Sequence, residues 1–137
     1  MPDTLDPTAR SERMSRVKGR DTKPELRVRR LTHQMGFRYR LHRRDLPGCP
    51  DLVFPARSKI IFVHGCFWHR HSDDTCKLAR LPKSRLDFWL TKLEANRTRD
   101  LEIQAELLCL GWQLMIVWEC ESRDPALSSR IKHFLEG

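Results

Sequence analysis

The apolar positions of this chain change period several times, and each change marks an element. From Thr8 to Lys18 polar residues dominate, and Arg10, Arg13 and Arg16 are spaced around a predicted first helix. Thr22-Lys23-Pro24-Glu25 has the form of a capping box, with Thr22 as N-cap and Glu25 reaching back to it. Leu26, Val28, Leu31 and Met35 supply the apolar side of the second helix it opens, which is expected to stop near Gly36. Phe37 to Leu41 alternates with the period of a half-buried strand. Beyond the break at Leu46-Pro-Gly-Cys-Pro50, residues 51–54 and 59–64 read as the arms of a hairpin around Pro55-Ala-Arg-Ser58. Residues 65–83 show no period, and so long a loop in a small domain is usually functional or tied down. Ser84 is the expected N-cap of a long helix with Leu86, Leu90, Leu93, Leu101, Leu107 and Leu108 as its apolar set, closed by Gly111. Trp112 to Trp118 reads as a buried strand, and a last helix begins around Asp124-Pro125. The order α-α-β-β-β-α-β-α predicts an α/β fold, a mixed sheet flanked by helices, because hairpins join antiparallel strands and a crossover helix joins parallel ones.

Length and composition narrow the class. A chain of 137 residues, 39% of them apolar, suits one packed domain. No run approaches the roughly 20 apolar residues of a membrane span, and the N-terminus has no apolar signal region, so a cytoplasmic protein with no membrane partner is expected. Five cysteines, an odd number, suggest thiols kept reduced and used for metal or packing. The net charge of +8 is uneven: residues 1–50 hold 13 of the 26 Lys and Arg but only 6 of the 18 acids. A polyanion, nucleic acid first, is the partner this implies, although such a run also serves as a solubilising face.

The predicted topology gathers the chemistry-bearing residues. A turn at 55–58 pairs Phe54 with Lys59 and sets Asp51 opposite Phe62, so Asp51 and His64 become diagonal neighbours about 7–8 Å apart. The strands ending at His64 and near Trp118 should be parallel, so both end at the edge where Asp51 starts, and ligands favour such edges. Cys66, His71, Cys76 and Cys120 fall at or beyond that edge and form a Cys₃His set suited to structural zinc, with Cys49 as a competing ligand. Cys109 reads as a packing cysteine. His64, His69 and His71 lie within eight residues, and imidazole transfers protons near neutral pH. His69 and His71 point oppositely in extended chain, so one can serve zinc while the other faces Asp51 and His64. The capping role explains Glu25 without catalysis, and a catalytic role stays open beside it. Phe67 and Trp68 either pack as a lid or stack into a base step. Trp89, Lys92, Asn96 and Arg99 share one face of the long helix, an aromatic-basic stripe suited to nucleic acid.

These segments carry a resemblance. Thr8-Ala-Arg-Ser through Met14, Arg20-Asp-Thr22, Leu46-Pro-Gly-Cys-Pro-Asp51, Val63-His-Gly-Cys-Phe-Trp-His69, Phe88-Trp89-Leu90 and Gly111-Trp112 through Val117-Trp-Glu-Cys120 resemble the very-short-patch-repair (Vsr) DNA mismatch endonucleases. The resemblance implies a restriction-endonuclease-like fold with residues 1–20 as a DNA-contacting helix or arm and 21–137 as one catalytic domain. It implies Mg²⁺-dependent nicking of duplex DNA 5′ to the T of a T:G mismatch, which in bacteria starts repair of deaminated 5-methylcytosine. By position, Asp51 and the Val63 carbonyl would hold Mg²⁺, His69 would be the general base, His64 would assist, and Glu25 would support the hydrated metal. Cys66, His71, Cys76 and Cys120 would hold Zn²⁺. Phe67, Trp68 and Trp89 would form an intercalating wedge, while Met14, Lys92 and Asn96 would contact the mispair. Mismatch-repair proteins and a repair polymerase would be partners of a monomeric enzyme. The usual nuclease acid-x-Lys is replaced here by Phe62-Val63-His64. The alternatives are a non-catalytic zinc DNA-binding module, which leaves Asp51 and His69 without duties, and a restriction-type enzyme cutting both strands.

Overall fold

The computed structural model describes residues 21–69, 71–72 and 75–137. The predicted helix at 8–18, with Met14, lies outside them. The capping box forms: the Thr22 hydroxyl accepts from the Glu25 N–H at 3.3 Å and opens α1, Lys23–Gln34. Glu25 reaches back one residue further than predicted and accepts from the Asp21 N–H at 3.2 Å. The first strand is shorter than its alternation suggests. Only Arg40–Leu41 (β1) pairs with a neighbour, because Phe37 and Tyr39 are drawn into the core beside α1.

The hairpin register is as predicted. β2, Leu52–Phe54, runs antiparallel to β3, Lys59–His64, with Phe54 opposite Lys59 and Leu52 opposite Ile61. A single 3-10 turn, Pro55–Arg57, and Ser58 at φ +54 make the connection. The loop after β3 contains a short 3-10 turn at Lys77–Ala79. It leads into α2, Leu86–Cys109, which delivers β4, Gln113–Trp118, parallel to β3. The helix starts from Arg85, in left-handed backbone at φ +56, instead of being capped by Ser84. Leu127–Glu136 forms α3. The sheet order is β1-β2-β3-β4, and no helix among the described residues is long and apolar enough to cross a membrane.

Alternation along β2 and β3 distributes the core to both faces. Leu52, Phe54 and Ile61 pack with Val28 of α1 and with Leu127, Ile131 and Leu135 of α3. Val53, Ile60 and Phe62 face the other way, onto Leu107 and Ile103 of α2. Each fully buried aliphatic side chain contributes about 1.5–3 kcal/mol. Buried Lys59 donates to the Phe134 carbonyl at 2.5 Å and to that of Leu135 at 3.3 Å, so a cation closes the C-terminal turn of α3.

Two expectations about burial fail. β4 is an edge strand, so only Val117 is fully buried and its other side chains are half-covered or exposed. On α2 the leucines do not act as one set: Leu93 and Leu107 are buried, whereas Leu86, Leu101 and Leu108 are exposed, and so is Cys109. One sheet face can cover only a narrow stripe of a 24-residue helix, and the charged residues interleaved with these leucines keep the rest of the surface solvated.

Candidate active site and metal centre

The parity of β3 puts His64 on the α2 side of the sheet with Ile60 and Phe62, at the edge where β3 and β4 both end. Asp51 lies just ahead of β2 at the same edge. Its Oδ2 accepts the Val63 N–H at 2.7 Å. Continuing the β2–β3 register sets Pro50 opposite Val63, and a proline has no N–H to offer the Val63 carbonyl. A carboxylate and a carbonyl without a proline donor are hard oxygen groups of the kind Mg²⁺ takes, so these residues fit a cation that keeps most of its water.

Asp51, His42, His64, His69 and Asp100 line one cavity of about 290 Å³. Burial raises the Asp51 carboxyl to about 7; the Val63 N–H opposes this, nearby Glu25 adds to it, and Arg29 offsets part. Burial likewise holds His64 down to about 3, helped by the neighbouring His69 and opposed by Asp100, so its imidazole is neutral across the physiological range. The His64 and His69 rings stack, with centroids 3.8 Å apart and planes 7° off parallel. His69 Nδ1 meets Asp100 Oδ2 at 2.6 Å. A carboxylate accepts, so Nδ1 donates in this bond, and in the neutral ring the lone pair then sits on Nε2.

Ligand atoms of His64, His69 and Asp100 lie within 4.8 Å of one another, yet the trio is a poor metal cage as it stands. Imidazole lone pairs lie in the ring plane, and two stacked planes cannot both aim at one ion. A second group, Asp21, Glu25 and His42, is similarly close but already holds a cation. The Arg29 guanidinium bonds both Asp21 and Glu25 there, and His42 Nε2 lies 2.8 Å from Glu25 Oε2. Glu25 is buried, so it is at once a helix cap, an ion-pair partner and a neighbour of Asp51.

The four predicted sulfur and imidazole donors do converge. Cys66 and His71 come from the loop after β3, Cys76 from just before the Lys77–Ala79 turn, and Cys120 from the 3-10 turn after β4, with donor atoms within 4.8 Å of one another. The Cys120 N–H points at Cys66 Sγ at 3.4 Å, Cys120 Sγ lies 3.5 Å from His71 Nδ1, and the His71 ring stacks on Trp118. Burial pushes the Cys66 thiol up, which is the cost a bound cation removes by stabilising thiolate. Three sulfurs and one imidazole at this spacing fit tetrahedral Zn²⁺. Cys49 stands apart, exposed at the rim of the Asp51 cavity.

Phe67, Trp68 and Trp89 form a half-exposed aromatic cluster with centroids 5.1 to 6.1 Å apart. Asn96 Nδ2 donates to the Trp68 carbonyl at 3.2 Å, fastening the loop to α2, while Lys92 is exposed on the same helix.

Comparison with known proteins is consistent along the whole chain. The family model described as DNA mismatch endonuclease Vsr matches residues 2–75. Type II nicking enzyme V.XorIIP of Xanthomonas oryzae pv. oryzae is 50% identical over 137 residues, covering 99% of this chain and 98% of that protein. DNA mismatch endonuclease Vsr of Escherichia coli K12 is 38% identical over 143 aligned positions, covering 100% of this chain and 90% of that protein. The chain belongs to the Vsr family.

Within this Vsr-family chain, sequence reasoning missed two residues that line the cavity. Asp100 lies one helical turn beyond Asn96, and a carboxylate continuing the Trp89–Asn96 face was the signal available. His42 offered none, because it follows a two-residue strand and takes left-handed backbone at φ +48.

Proposed function

We propose that this Vsr-family protein is a Mg²⁺-dependent endonuclease that nicks one strand of duplex DNA 5′ to the T of a T:G mismatch. On this reading the fold is restriction-endonuclease-like, and one chain supplies every group the reaction needs. The observation that carries the proposal is the meeting of Asp51, the His64–His69 pair and Asp100 at one sheet edge, beside a half-exposed aromatic cluster.

Bound Mg²⁺ would supply Lewis-acid stabilisation of charge developing at phosphorus. Asp51 and the Val63 carbonyl would hold it, with Glu25 behind them. His69 Nε2, the acceptor nitrogen of the neutral ring because Nδ1 donates to Asp100, would take a proton from the attacking water. Neutral His64, stacked on that ring, would restrain it and offer a hydrogen bond to a phosphate oxygen without adding charge. Cys66, His71, Cys76 and Cys120 would hold Zn²⁺ as a structural ion. Phe67, Trp68 and Trp89 would open the base stack; a mispair is already weakened, so opening it costs less than opening paired DNA. Met14, Lys92 and Asn96 are proposed contacts to the mispair, Asn96 after exchanging its bond to Trp68. A nick beside a mispair must then be extended and sealed, which is where a repair polymerase and mismatch-repair proteins would enter.

The names of relatives support this reading: they include a DNA mismatch endonuclease and several nicking enzymes. The test is incubation with Mg²⁺ and end-labelled T:G and fully paired duplexes on a denaturing gel. One cut strand, only in the mismatched duplex, is expected. Cuts in both strands would favour the restriction-type alternative, and no Mg²⁺-dependent cut in any flanking sequence would end the proposal.

A further inference from the structure

His42 touches Glu25 and Asp51 through different parts of the residue, the carboxylate of the first by its ring and the main chain of the second by its amide. Its backbone N–H donates to the Asp51 carbonyl at 3.2 Å. Its ring meets Glu25 Oε2 at 2.8 Å, and because an ionised carboxylate only accepts, Nε2 carries the proton of that bond. Glu25 is thereby held from both ends, with Oε1 on the Asp21 N–H and Oε2 shared by Arg29 and His42. The left-handed backbone of His42 is costly for a side chain other than glycine, and such strain persists where the surroundings enforce it. Here that backbone lets one residue turn its amide to Asp51 and its ring to Glu25.

We propose that His42 is a positioning residue for strand cleavage: it sets the distance between the Glu25 carboxylate and Asp51, and so the affinity of the cavity for a divalent cation. The proposal rests on the endonuclease reading above, but its physical core, cation binding by the paired carboxylates, can be measured without DNA. A histidine that merely filled space would be replaceable by any side chain of similar volume. A positioning histidine demands an N–H donor at the reach of Nε2. Glutamine has one there. Asparagine tolerates left-handed backbone well but falls one methylene short.

The experiment compares His42→Asn with His42→Gln in the zinc-loaded protein. Mn²⁺ binding is followed by electron paramagnetic resonance in the absence of DNA, and single-turnover nicking is followed over a Mg²⁺ series. His42→Asn is expected to weaken Mn²⁺ binding about tenfold and to lower kcat with KM for DNA unchanged, while His42→Gln restores both to within about threefold. Equal thermal melts and zinc content establish that both variants fold. Wild-type Mn²⁺ binding in His42→Asn, or an equal defect in His42→Gln, overturns the proposal. A wild-type protein that binds Mn²⁺ yet never nicks a T:G duplex would sink the mismatch-nicking reading and leave the role of His42 to the binding arm alone.

Discussion

Asp51 shows how burial sets the working pH of a single carboxyl. The folded chain holds its proton up to about 7, whereas an unfolded aspartate releases it near 3.9. Between those values the folded state binds the extra proton, so its stability falls as pH rises through that window, and the loss is complete above about 7. Asp51→Asn removes the buried charge. Without divalent cations, its melting temperature should exceed that of the wild type at pH 8, by about 4 °C per kcal/mol relieved, and the two should converge below pH 4. Adding Mg²⁺ at pH 8 should raise the wild type and leave the variant unchanged, as read by calorimetry. His64 is neutral over this whole range and cannot produce a transition near neutrality. Asp100 acts through orientation. Asp100→Asn no longer dictates which nitrogen of His69 carries the proton, so the single-turnover nicking rate should fall about 100-fold with DNA affinity preserved, as quenched-flow assays and binding titrations would show.

Loop 46–50 packs against α2 at Gly48, just ahead of Asp51. Gly48 has φ +74, and a Cβ built there lies 2.5 Å from Ile103 Cγ2. Gly48→Ala should therefore cost about 1–3 kcal/mol, from left-handed strain and overpacking together, measurable by urea denaturation. Ile103→Val in that background should recover little of this, because valine keeps the Cγ2 that the new Cβ meets. This contact also shows why the chain was legible in some places and opaque in others. The Phe54–Lys59 turn determines the register of the whole hairpin, and that local rule carried Asp51 to His64 without knowledge of any helix. The capping box at Thr22 and the stop at Gly111 are local in the same sense. The phase of α2 is not. Which of its leucines turn inward depends on the loops at its ends, so Leu101, Leu108 and Cys109 were misread. So was the reach of its polar stripe, which stops at Arg99 in the pattern but delivers Asp100 to His69 in space. His42 lay beyond pattern altogether, because a left-handed residue after a two-residue strand has no period.

For the molecule as a whole, the Cys/His cluster joins the loop after β3 to the ends of the paired strands β3 and β4. Cys66 and His71 follow β3, Cys76 lies further along the same loop, and Cys120 follows β4, so one ion would tie both strand ends to the loop between them. His69 rides on that loop between Cys66 and His71, while Asp51 enters the cavity on the LPGCP turn. On the proposed reading, the proton acceptor and the cation ligand would thus be held by different anchors, and loss of one need not disturb the other. The sheet and its helices carry their own apolar core, with Val28, Ile61, Val117 and Ile131 fully buried away from the cage. Cys120→Ser should therefore remove the metal and loosen the loop without unfolding the domain. Elemental analysis should show about one zinc per wild-type chain and much less in the variant. Hydrogen exchange should become at least tenfold faster at amides 65–80 while α1 and α3 stay protected. Mg²⁺-dependent nicking should fall together with loop protection, although Asp51 is untouched. Unchanged protection at 65–80 in a zinc-free variant would mean that the aromatic cluster and the Asn96–Trp68 bond hold the loop by themselves.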